Sequence, residues 1–341
     1  LAQLGELLKP RREAVDGPVV YFVDHFFRDH ELIGRLPMEK GDQLHFVDSS
    51  SEPEVTRIDA FKEAVSAADS RTPCCVVGIG GGNALDTAKA VANLLTNPGK
   101  AEDYQGWELV KNPAVYKIGI PTLSGTGSEC SRTCVLTNIP KNLKLGMNSD
   151  YTVYDQLLLD PDLLATVPRD QYFYTGIDTF MHCVESLQGS YRNAIIDAFS
   201  VRAVQLCEEI FLSDDMMREE NREKMMIASY IGGMAAGNVG VIHPFSAGLG
   251  VVLHVAHGLG NCLALNVLGD IYPKEYKQFR TMIERQGVNL PTGICKDLTE
   301  EQYEGLYRGC IVHEKPLTNA LGPDFKQILT RENLIERYKS I

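Results

Sequence analysis

The second half of the chain contains an aspartate and several histidines, the residue types that bind divalent metals in proteins. Asp178 and His182 lie four residues apart in TGIDTFMHCVESL, so a helix presents both side chains on one face. A carboxylate and an imidazole placed in this way can ligate one metal ion. The same pair can instead form a hydrogen bond without a metal, and the spacing alone leaves both interpretations open.

Further histidines follow in HPFSAGLGVVLHVAHGLGN, which contains His243, His254 and His257. The 14 residues from His243 to His257 span about 21 Å on one straight helix, which is too far for a shared ion. Gly248 and Gly250 lie between them and can break the helix, so that imidazoles from two helices converge. His254 and His257 are rival ligands, and the one that does not bind the metal is a candidate substrate contact or a polar rim residue. One carboxylate with three imidazoles suits Fe(II) or Zn(II), and not Ca(II) or Mg(II).

A glycine-rich turn, GIGGGNALDTAK, joins an apolar strand to a helix at residues 78–89. Glycines allow a ligand close to the backbone, and the helix N-terminus offers free N–H groups to a pyrophosphate. Gly81, Gly82 and Asn83 are the candidate contacts, with Asn83 as the helix N-cap and Asp86 three residues later. The turn lacks the usual GxGxxG spacing, and a tight strand–helix turn without a ligand explains it equally well.

A second turn of small residues, IPTLSGTGSE at 120–129, also follows a strand, and Asp24 ends a third strand. Ligands of open α/β sheets bind at the carboxyl ends of the strands. A carboxylate at Asp24 can accept hydrogen bonds from a ribose and repel a 2′-phosphate, which favours NAD over NADP. The alternative role for Asp24 is to cap the segment that follows it.

These turns lie in a first half in which strands and helices alternate, a pattern typical of βαβ units around a parallel sheet. Strands are predicted at 18–24, 44–49, 74–80 and 115–122, and helices at 54–69 and 84–95. The periodicity after residue 160 is mostly helical. We therefore predict a dinucleotide-binding α/β domain of residues 1–160 with a Rossmann-like parallel sheet, and an all-α metal-binding and substrate domain of residues 161–341.

The net charge and the cysteine pattern of the chain indicate which partners and which compartment to expect. The chain has 341 residues and a net charge of −12, and such an acidic surface disfavours nucleic acid and anionic membranes as partners. Its nine cysteines include no CxxC pair, which indicates reduced thiols and a cytoplasmic protein. The N-terminus lacks the order of a signal peptide. It begins with Leu rather than Met, so we expect native residues before it.

Taken together, these segments resemble the iron-containing (group III) alcohol dehydrogenases. GGGNALDTAK resembles their GGGSxxDxAK turn, IPTLSGTGSE their second nucleotide loop, and GVIHPFSAGLGVVLHVAHGLGN their two-histidine segment. LGMNS, with Lys144 before it, and LDPDLLATVPRDQYFYTGIDTFMHCVES resemble the connection into their metal helix. The resemblance extends from about Asp24 to about Leu268. It implies an NAD(P) cofactor and one divalent metal, Fe(II) or Zn(II), in the cleft between a Rossmann-like domain and a helical domain.

The resemblance also assigns residues by position. The metal ligands it implies are Asp178, His182, His243 and His257, with His254 and His257 also as catalytic residues. The cofactor contacts it implies, together with the turn residues above, are Asp24, Gly81, Gly82, Asn83, Asp86, Thr122, Leu123, Thr126, Ser128 and Lys144. Asn83 stands where the family usually has Ser, a minor departure because both side chains cap helices. Ala247 stands where many members have a second His that relays the alcohol proton. His254, a metal-bound hydroxide or an ordered water could take over that relay.

The segments HPFSAG, GSYRNAI and DQYFYTG are most similar to the branch of this family that oxidises the C8 hydroxyl of 3-deoxy-D-manno-octulosonate, a lipopolysaccharide precursor. That resemblance implies oxidation of a primary alcohol to an aldehyde, with Arg132, Arg169 and Arg192 as candidates for binding the substrate carboxylate. The alternatives are a short-chain alcohol dehydrogenase and, from another class, an NAD- and metal-dependent lyase of the dehydroquinate-synthase type. The Asp-x-x-x-His pair disfavours the lyase, whose set is Glu plus two His. The family also implies a small-molecule substrate and a homodimer.

Overall fold

The computed structural model describes all residues, 1–341, and divides the chain into two compact units. The first contains residues 1–123 and 128–164, and the second contains residues 124–127 and 165–341. The sequence places the boundary after residue 160, four residues before the position found here. The sequence pattern does not show that the short segment 124–127 belongs with the helical unit.

The first unit is an α/β domain. Its helices and strands are α1 (Leu4–Ala14), β1 (Val19–Asp24), α2 (Glu31–Gly34), β2 (Gln43–Val47), α3 (Val55–Ala68), β3 (Cys75–Gly80), α4 (Gly82–Leu94), β4 (Gly106–Trp107), β5 (Lys117–Pro121), β6 (Thr133–Asn138), β7 (Leu143–Asn148) and β8 (Gln156–Leu157). Strands β1, β2, β3, β5 and β8 form a parallel sheet in the order β2-β1-β3-β5-β8. The parallel sheet predicted from the alternating elements is confirmed.

Both faces of this sheet are buried, which explains the continuous apolar runs of its strands. In β1, Val20 and Phe22 pack into a core that contains the apolar sides of α3 and α4. Val19, Tyr21 and Val23 point to the opposite core, which includes Leu4 and Leu8 of α1. A second, smaller sheet in the order β4-β7-β6 contains the antiparallel pair β6 and β7, to which the sequence analysis assigns no elements.

The second unit is all-helical apart from short 3-10 turns, as predicted. Its helices are α5 (Arg169–Gln188), α6 (Ala194–Phe211), α7 (Glu219–Gly233), α8 (Ile242–Leu253), α9 (His257–Val267), α10 (Pro273–Gln286), α11 (Glu300–Ile311), α12 (Glu314–Leu321), α13 (Phe325–Ile328) and α14 (Arg331–Lys339). Helix α5 contacts α6, α7 and α9, and almost all of its residues from Tyr172 to Ser186 are buried. Polar side chains on α5 therefore need partners inside the helical unit.

Candidate metal centre and nucleotide turn

Helix α5 presents a row of buried polar groups toward α8 and α9. Asp178, His182 and Glu185 follow one another at spacings of four and three residues, so they share a face. The Asp178 side chain has no exposed surface, and that of His182 is 5% exposed. Burying a carboxylate is costly unless it is compensated by charge or hydrogen bonds, so the groups around Asp178 decide whether it is tolerated.

Three imidazoles surround the Asp178 carboxylate. His243 Nε2 lies 3.1 Å and His182 Nε2 3.7 Å from Oδ1, and His257 Nε2 lies 3.6 Å from Oδ2. The rings of His182 and His243 stack with their centroids 4.5 Å apart. The helix break anticipated between His243 and His257 is present, because α8 ends at Leu253 and α9 begins at His257. Thus the four predicted ligand side chains meet in the helical unit.

The donor atoms fit a divalent cation. One ligand atom from each of Asp178, His182 and His243 lies within 4.8 Å of the others, whereas the half-buried His257 falls outside this tight group. Oδ2 of Asp178 and Nδ1 of His182 are buried without a hydrogen-bond partner. An unsatisfied buried carboxylate oxygen costs free energy that a bound cation would recover. One carboxylate and neighbouring imidazoles suit Zn(II) or Fe(II).

The charge states of Asp178, His182 and His243 depend on burial and on the neighbouring ionisable groups. Burial alone would raise the pKa of Asp178, but the neighbouring imidazoles, His182 first, outweigh it and hold that pKa below its usual range. Burial lowers the pKa of His182 to about 4, so its ring is neutral at neutral pH. For His243, burial opposes the charged form, but Glu185 and Asp178 outweigh it and raise the pKa to about 9. The His243 ring is therefore protonated near pH 7 in the metal-free protein.

The affinity for a metal ion should therefore rise with pH, because binding of the metal releases one proton. Between about pH 5 and pH 8, Asp178 is ionised, His182 is neutral and His243 is protonated, so binding releases one proton from His243. We expect the apparent affinity to rise about tenfold per pH unit over this range and to level off above pH 9. Zn(II) competition with a chromophoric chelator across this range measures the slope. A flat profile would contradict the protonated state of His243.

His254 is not among the residues that contact Asp178 in this group. It is an exposed residue that ends α8 in the left-handed region, with φ 55°, and its backbone N–H bonds to Gly250 O and Leu249 O. Left-handed backbone favours glycine at helix C-termini and is uncommon for histidine. A role of His254 in proton transfer therefore remains a prediction, and the residue carries local backbone strain.

Two substitutions of His254 distinguish the effect of its backbone strain from the effect of its imidazole ring. We expect His254→Gly to raise the free energy of unfolding by about 0.5–1 kcal/mol, because glycine adopts this backbone freely. His254→Ala retains the strain and removes the ring, so it should gain no stability. If the imidazole relays protons, both variants lose kcat together. Urea denaturation and steady-state kinetics of the two variants measure these effects, and equal stabilities of the glycine and alanine variants would refute the strain argument.

The first unit brings the predicted nucleotide contacts to one edge of its sheet. The strand order reverses between β1 and β3, and ligands of such sheets bind at this switch point. Gly80 ends β3 with φ 154°, and a Cβ built there would lie 3.0 Å from that of Asp24, the last residue of β1. Thr122 N–H donates to Gly80 O over 2.9 Å, and a Cβ at Gly81 would lie 3.5 Å from Leu123. Asp24, Gly81, Thr122 and Leu123 are thus neighbours.

The start of α4 suits a phosphate group. The helix begins at Gly82 with Gly81 as N-cap, and no side chain caps it. Uncapped first-turn N–H groups and the positive end of the helix dipole attract anions. The prediction of Asn83 as the N-cap is therefore wrong by two positions. Its side-chain amide instead donates to Ser51 O over 3.0 Å and to Ser49 O over 3.4 Å.

Three other predicted cofactor contacts have partners within the first unit. Both oxygens of the buried Asp86 are engaged, one by the Ser128 hydroxyl and the other by Val135 N–H at 2.8 Å. Lys144 forms a largely buried ion pair with Glu52 over 2.9 Å. These bonds hold the loop after β5 on α4, and the remaining lone pairs of Asp86 and Ser128 leave their predicted contacts to a cofactor as predictions. A cofactor contact for Lys144 likewise requires an interaction besides this ion pair.

The second small-residue turn is divided between the two units. Gly125 N–H donates to Ser229 Oγ over 2.8 Å, and the Thr179 hydroxyl donates to Gly125 O over 2.9 Å. These bonds tie the turn to α7 and α5. Thr126 is half-buried in this segment and belongs to the helical unit, not to the sheet domain.

The arginines proposed to bind a carboxylate have protein partners. Arg132 pairs with Glu108 and Asp150, and Arg192 pairs with Asp197 over 2.8 Å. Arg169 bonds to Gln286 over 2.9 Å, and its nine-residue separation from Asp178 on α5 amounts to 2.5 turns, on the opposite side of the helix. The structure therefore favours none of them as the anion-binding group.

Two residues that sequence reasoning missed contact the metal ligands. Glu185 Oε2 lies 2.5 Å from His243 Nδ1. Asn261 is fully buried, and its Nδ2 donates to Asp178 Oδ1 over 2.7 Å and lies 3.2 Å from His257 Nε2. Helical spacing was the one signal present, because Glu185 shares the face of His182 three residues on and Asn261 lies four residues after His257. Spacing alone does not distinguish a buried polar side chain from an exposed one.

Comparison with protein families assigns the class. A family model described as iron-containing alcohol dehydrogenase matches residues 3–161, and one for the C-terminal part of the same family matches residues 172–305. The two regions together cover most of the chain. This protein therefore belongs to the iron-containing alcohol dehydrogenase family, as its motifs predicted.

Individual relatives agree with this family. The chain is 35% identical over 219 residues to sulfoacetaldehyde reductase of Bilophila wadsworthia (strain 3_1_6), a match that covers 63% of this chain and 56% of the relative. It is 32% identical over 209 residues to NAD-dependent methanol dehydrogenase of Bacillus methanolicus, covering 60% of this chain and 53% of the relative. The aligned part thus spans little more than half the length of these relatives.

Solved structures share the fold. The crystal structure of sulfoacetaldehyde reductase from Bifidobacterium kashiwanohense in complex with NAD+ superposes with a TM-score of 0.79 at 24% identity, covering 99% of this chain and 93% of that one. Alcohol dehydrogenase from Oenococcus oeni gives 0.83 at 21% identity, covering 99% and 95%. The predicted combination of a Rossmann-like domain and a helical domain is thereby confirmed. None of the helices is both long and apolar enough to cross a bilayer.

Proposed function

We propose that this protein is a metal-dependent oxidoreductase that interconverts a primary alcohol and an aldehyde, with NAD as the hydride carrier. The observation that carries the proposal is the meeting of Asp178, His182 and His243 in a buried group whose carboxylate has an unsatisfied oxygen. Family membership supports the same reaction class.

The residues of the chain contribute binding and orientation. Asp178 provides the negative charge, and His182 and His243 provide nitrogen ligands, with His257 as the proposed fourth. A divalent metal bound there would act as a Lewis acid on the substrate hydroxyl, and NAD would accept the hydride. The uncapped N-terminus of α4 would hold the pyrophosphate. With Ala247 in place of the usual second histidine, His254 or an ordered water would carry the alcohol proton outward.

We propose NAD rather than NADP because of Asp24. Its carboxylate is partly exposed at the carboxyl end of β1, where it also caps the next turn by accepting Phe26 N–H over 3.0 Å. Asp24→Asn retains an acceptor for that cap and removes the charge that would repel a 2′-phosphate. We expect the variant to raise kcat/KM for NADP about tenfold. An unchanged NADP/NAD ratio would mean that Asp24 acts only as a cap.

For the substrate, we propose a primary alcohol that carries an anionic group, with the C8 hydroxyl of 3-deoxy-D-manno-octulosonate as the first candidate. The segments HPFSAG, GSYRNAI and DQYFYTG support this choice. The second candidate is sulfoacetaldehyde, favoured by the 35% identity to a sulfoacetaldehyde reductase. Both molecules place an acid and a primary alcohol or aldehyde in one small compound.

The test is the change in NADH absorbance with Zn(II)- or Fe(II)-loaded protein. NAD is supplied with the octulosonate or with propanediol, and NADH is supplied with sulfoacetaldehyde. Turnover with the octulosonate alone supports the sugar acid, and turnover with sulfoacetaldehyde alone moves the assignment to that compound. Turnover with propanediol alone would overturn the anionic substrate class. The absence of any net change in NADH with metal-loaded protein would contradict NAD-dependent turnover of these compounds and favour the lyase class or an electron acceptor other than NAD.

We also propose that the protein acts as a homodimer, as the family resemblance implies. Sedimentation velocity across a range of concentrations tests this directly. A single species with the mass of one chain would refute it.

A further inference from the structure

The group around His243 includes one carboxylate that the proposed reaction does not use. Glu185 lies on α5 one turn beyond His182, and its side chain is completely buried. A buried carboxylate is destabilising unless its oxygens are hydrogen-bonded. Its presence on the metal side of α5 therefore requires an explanation besides core packing.

Both carboxylate oxygens of Glu185 have hydrogen-bond partners at the start of α8 or next to it. Oε1 accepts the Ile242 backbone N–H over 2.6 Å and the Tyr272 hydroxyl over 3.2 Å. Oε2 lies 2.5 Å from His243 Nδ1. Ile242 is the first residue of α8, where the backbone N–H groups have no partner within the helix. One carboxylate thus holds both the start of α8 and the ring of His243.

We infer that Glu185 is a positioning residue that fixes the ring and tautomer of His243 for metal binding. A carboxylate can only accept at Nδ1, so it keeps the proton on that nitrogen. Nε2, which faces Asp178 at 3.1 Å, is then the atom whose lone pair can reach a metal. Outer carboxylates of this kind also raise the basicity of the ligand, and their loss weakens metal binding about 10- to 100-fold. The inference rests on the proposed metal site.

Glu185→Gln tests this with little change of shape. If the amide oxygen keeps Ile242 and Tyr272, its NH2 faces His243 Nδ1 and moves the ring proton to Nε2, where it blocks the metal. If the amide turns over, its NH2 faces the Ile242 N–H, and the start of α8 loses its acceptor. In either orientation the ligand is less well positioned. Glu185→Asp retains the carboxylate on a shorter side chain and should recover part of the loss.

The matched control is Tyr272→Phe, which removes the hydroxyl that donates to Oε1 and accepts the Val241 N–H, and leaves the bond between Oε2 and His243. We would measure the Zn(II) dissociation constant by chelator competition, the ligand-field spectrum of the Co(II) protein and the unfolding midpoint of each metal-free variant. We expect Glu185→Gln to bind Zn(II) about 10- to 100-fold more weakly with an altered Co(II) spectrum, while Tyr272→Phe stays within about threefold of the parent.

These measurements distinguish a failure of the inference about Glu185 from a failure of the proposed function. If the parent protein binds metal and Glu185→Gln binds it within twofold, with the same Co(II) spectrum, the inference is wrong and the proposed function stands. If Tyr272→Phe loses as much affinity as Glu185→Gln at an equal loss of unfolding midpoint, Glu185 has a structural role only, which also overturns the inference. If the parent binds neither Zn(II) nor Co(II), the proposed function itself fails.

Discussion

Asp178→Asn is expected to abolish turnover by removing metal binding. The variant retains the size of the side chain but loses the one carboxylate that lies beside all three imidazoles. Because an outer-shell residue alone is worth about 10- to 100-fold in affinity, loss of this ligand should weaken Zn(II) binding by more than about 100-fold. Metal content after dialysis and NADH formation with added metal measure both effects.

Removing the same charge should also change the protonation of the metal-free protein. The pKa of His243, about 9 in the parent, depends on Asp178 as well as Glu185, so it should fall in the variant. Glu209→Gln is a suitable control, because it removes an exposed carboxylate from α6 in the same unit. If Asp178→Asn bound Zn(II) as tightly as the control, the metal would have to lie elsewhere.

The largest effect on stability is expected at Gly125. Its φ is 146°, and a Cβ built there would lie 1.6 Å from the backbone oxygen of Thr175 on α5. Backbone cannot rotate aside as a side chain can, so Gly125→Ala must displace the turn and break its bonds to Ser229 and Thr179. We expect a loss of about 4 kcal/mol or more in the free energy of unfolding, or failure to fold. Urea denaturation measures it.

Gly287→Ala is the control for Gly125→Ala, because it introduces backbone strain without a steric clash. Gly287 ends α10 with φ 62°, and a Cβ added there would meet no atom within 4 Å, so alanine should cost only about 1 kcal/mol. If both variants lost the same free energy, left-handed strain and not close approach would explain Gly125. Because Thr126 follows Gly125, a folded Gly125→Ala protein should also show a higher KM for NAD if Thr126 contacts the cofactor.

Several features of the fold follow from short-range periodicity and could be predicted before the structure was known. Apolar, β-branched runs predicted β1, β2, β3 and β5 to within about two residues, since strands buried on both faces need such side chains. The helical period alone placed Asp178 and His182 on one face of α5. The same period would have included Glu185, but a lone glutamate on a helix usually faces solvent, so the pattern did not distinguish it.

Contacts between residues that are distant in sequence became apparent only in the folded protein. His243 reaches Asp178 across 65 residues of sequence, and Asn261 reaches it across 83. The tertiary structure also showed that Asp86 forms a hydrogen bond within the first unit and that residues 124–127 belong to the helical unit. Such contacts arise from the packing of whole helices and strands, whereas periodicity reports only which face of one element is buried. The residue types of the metal group were therefore readable from the sequence, but the partners that orient them were not.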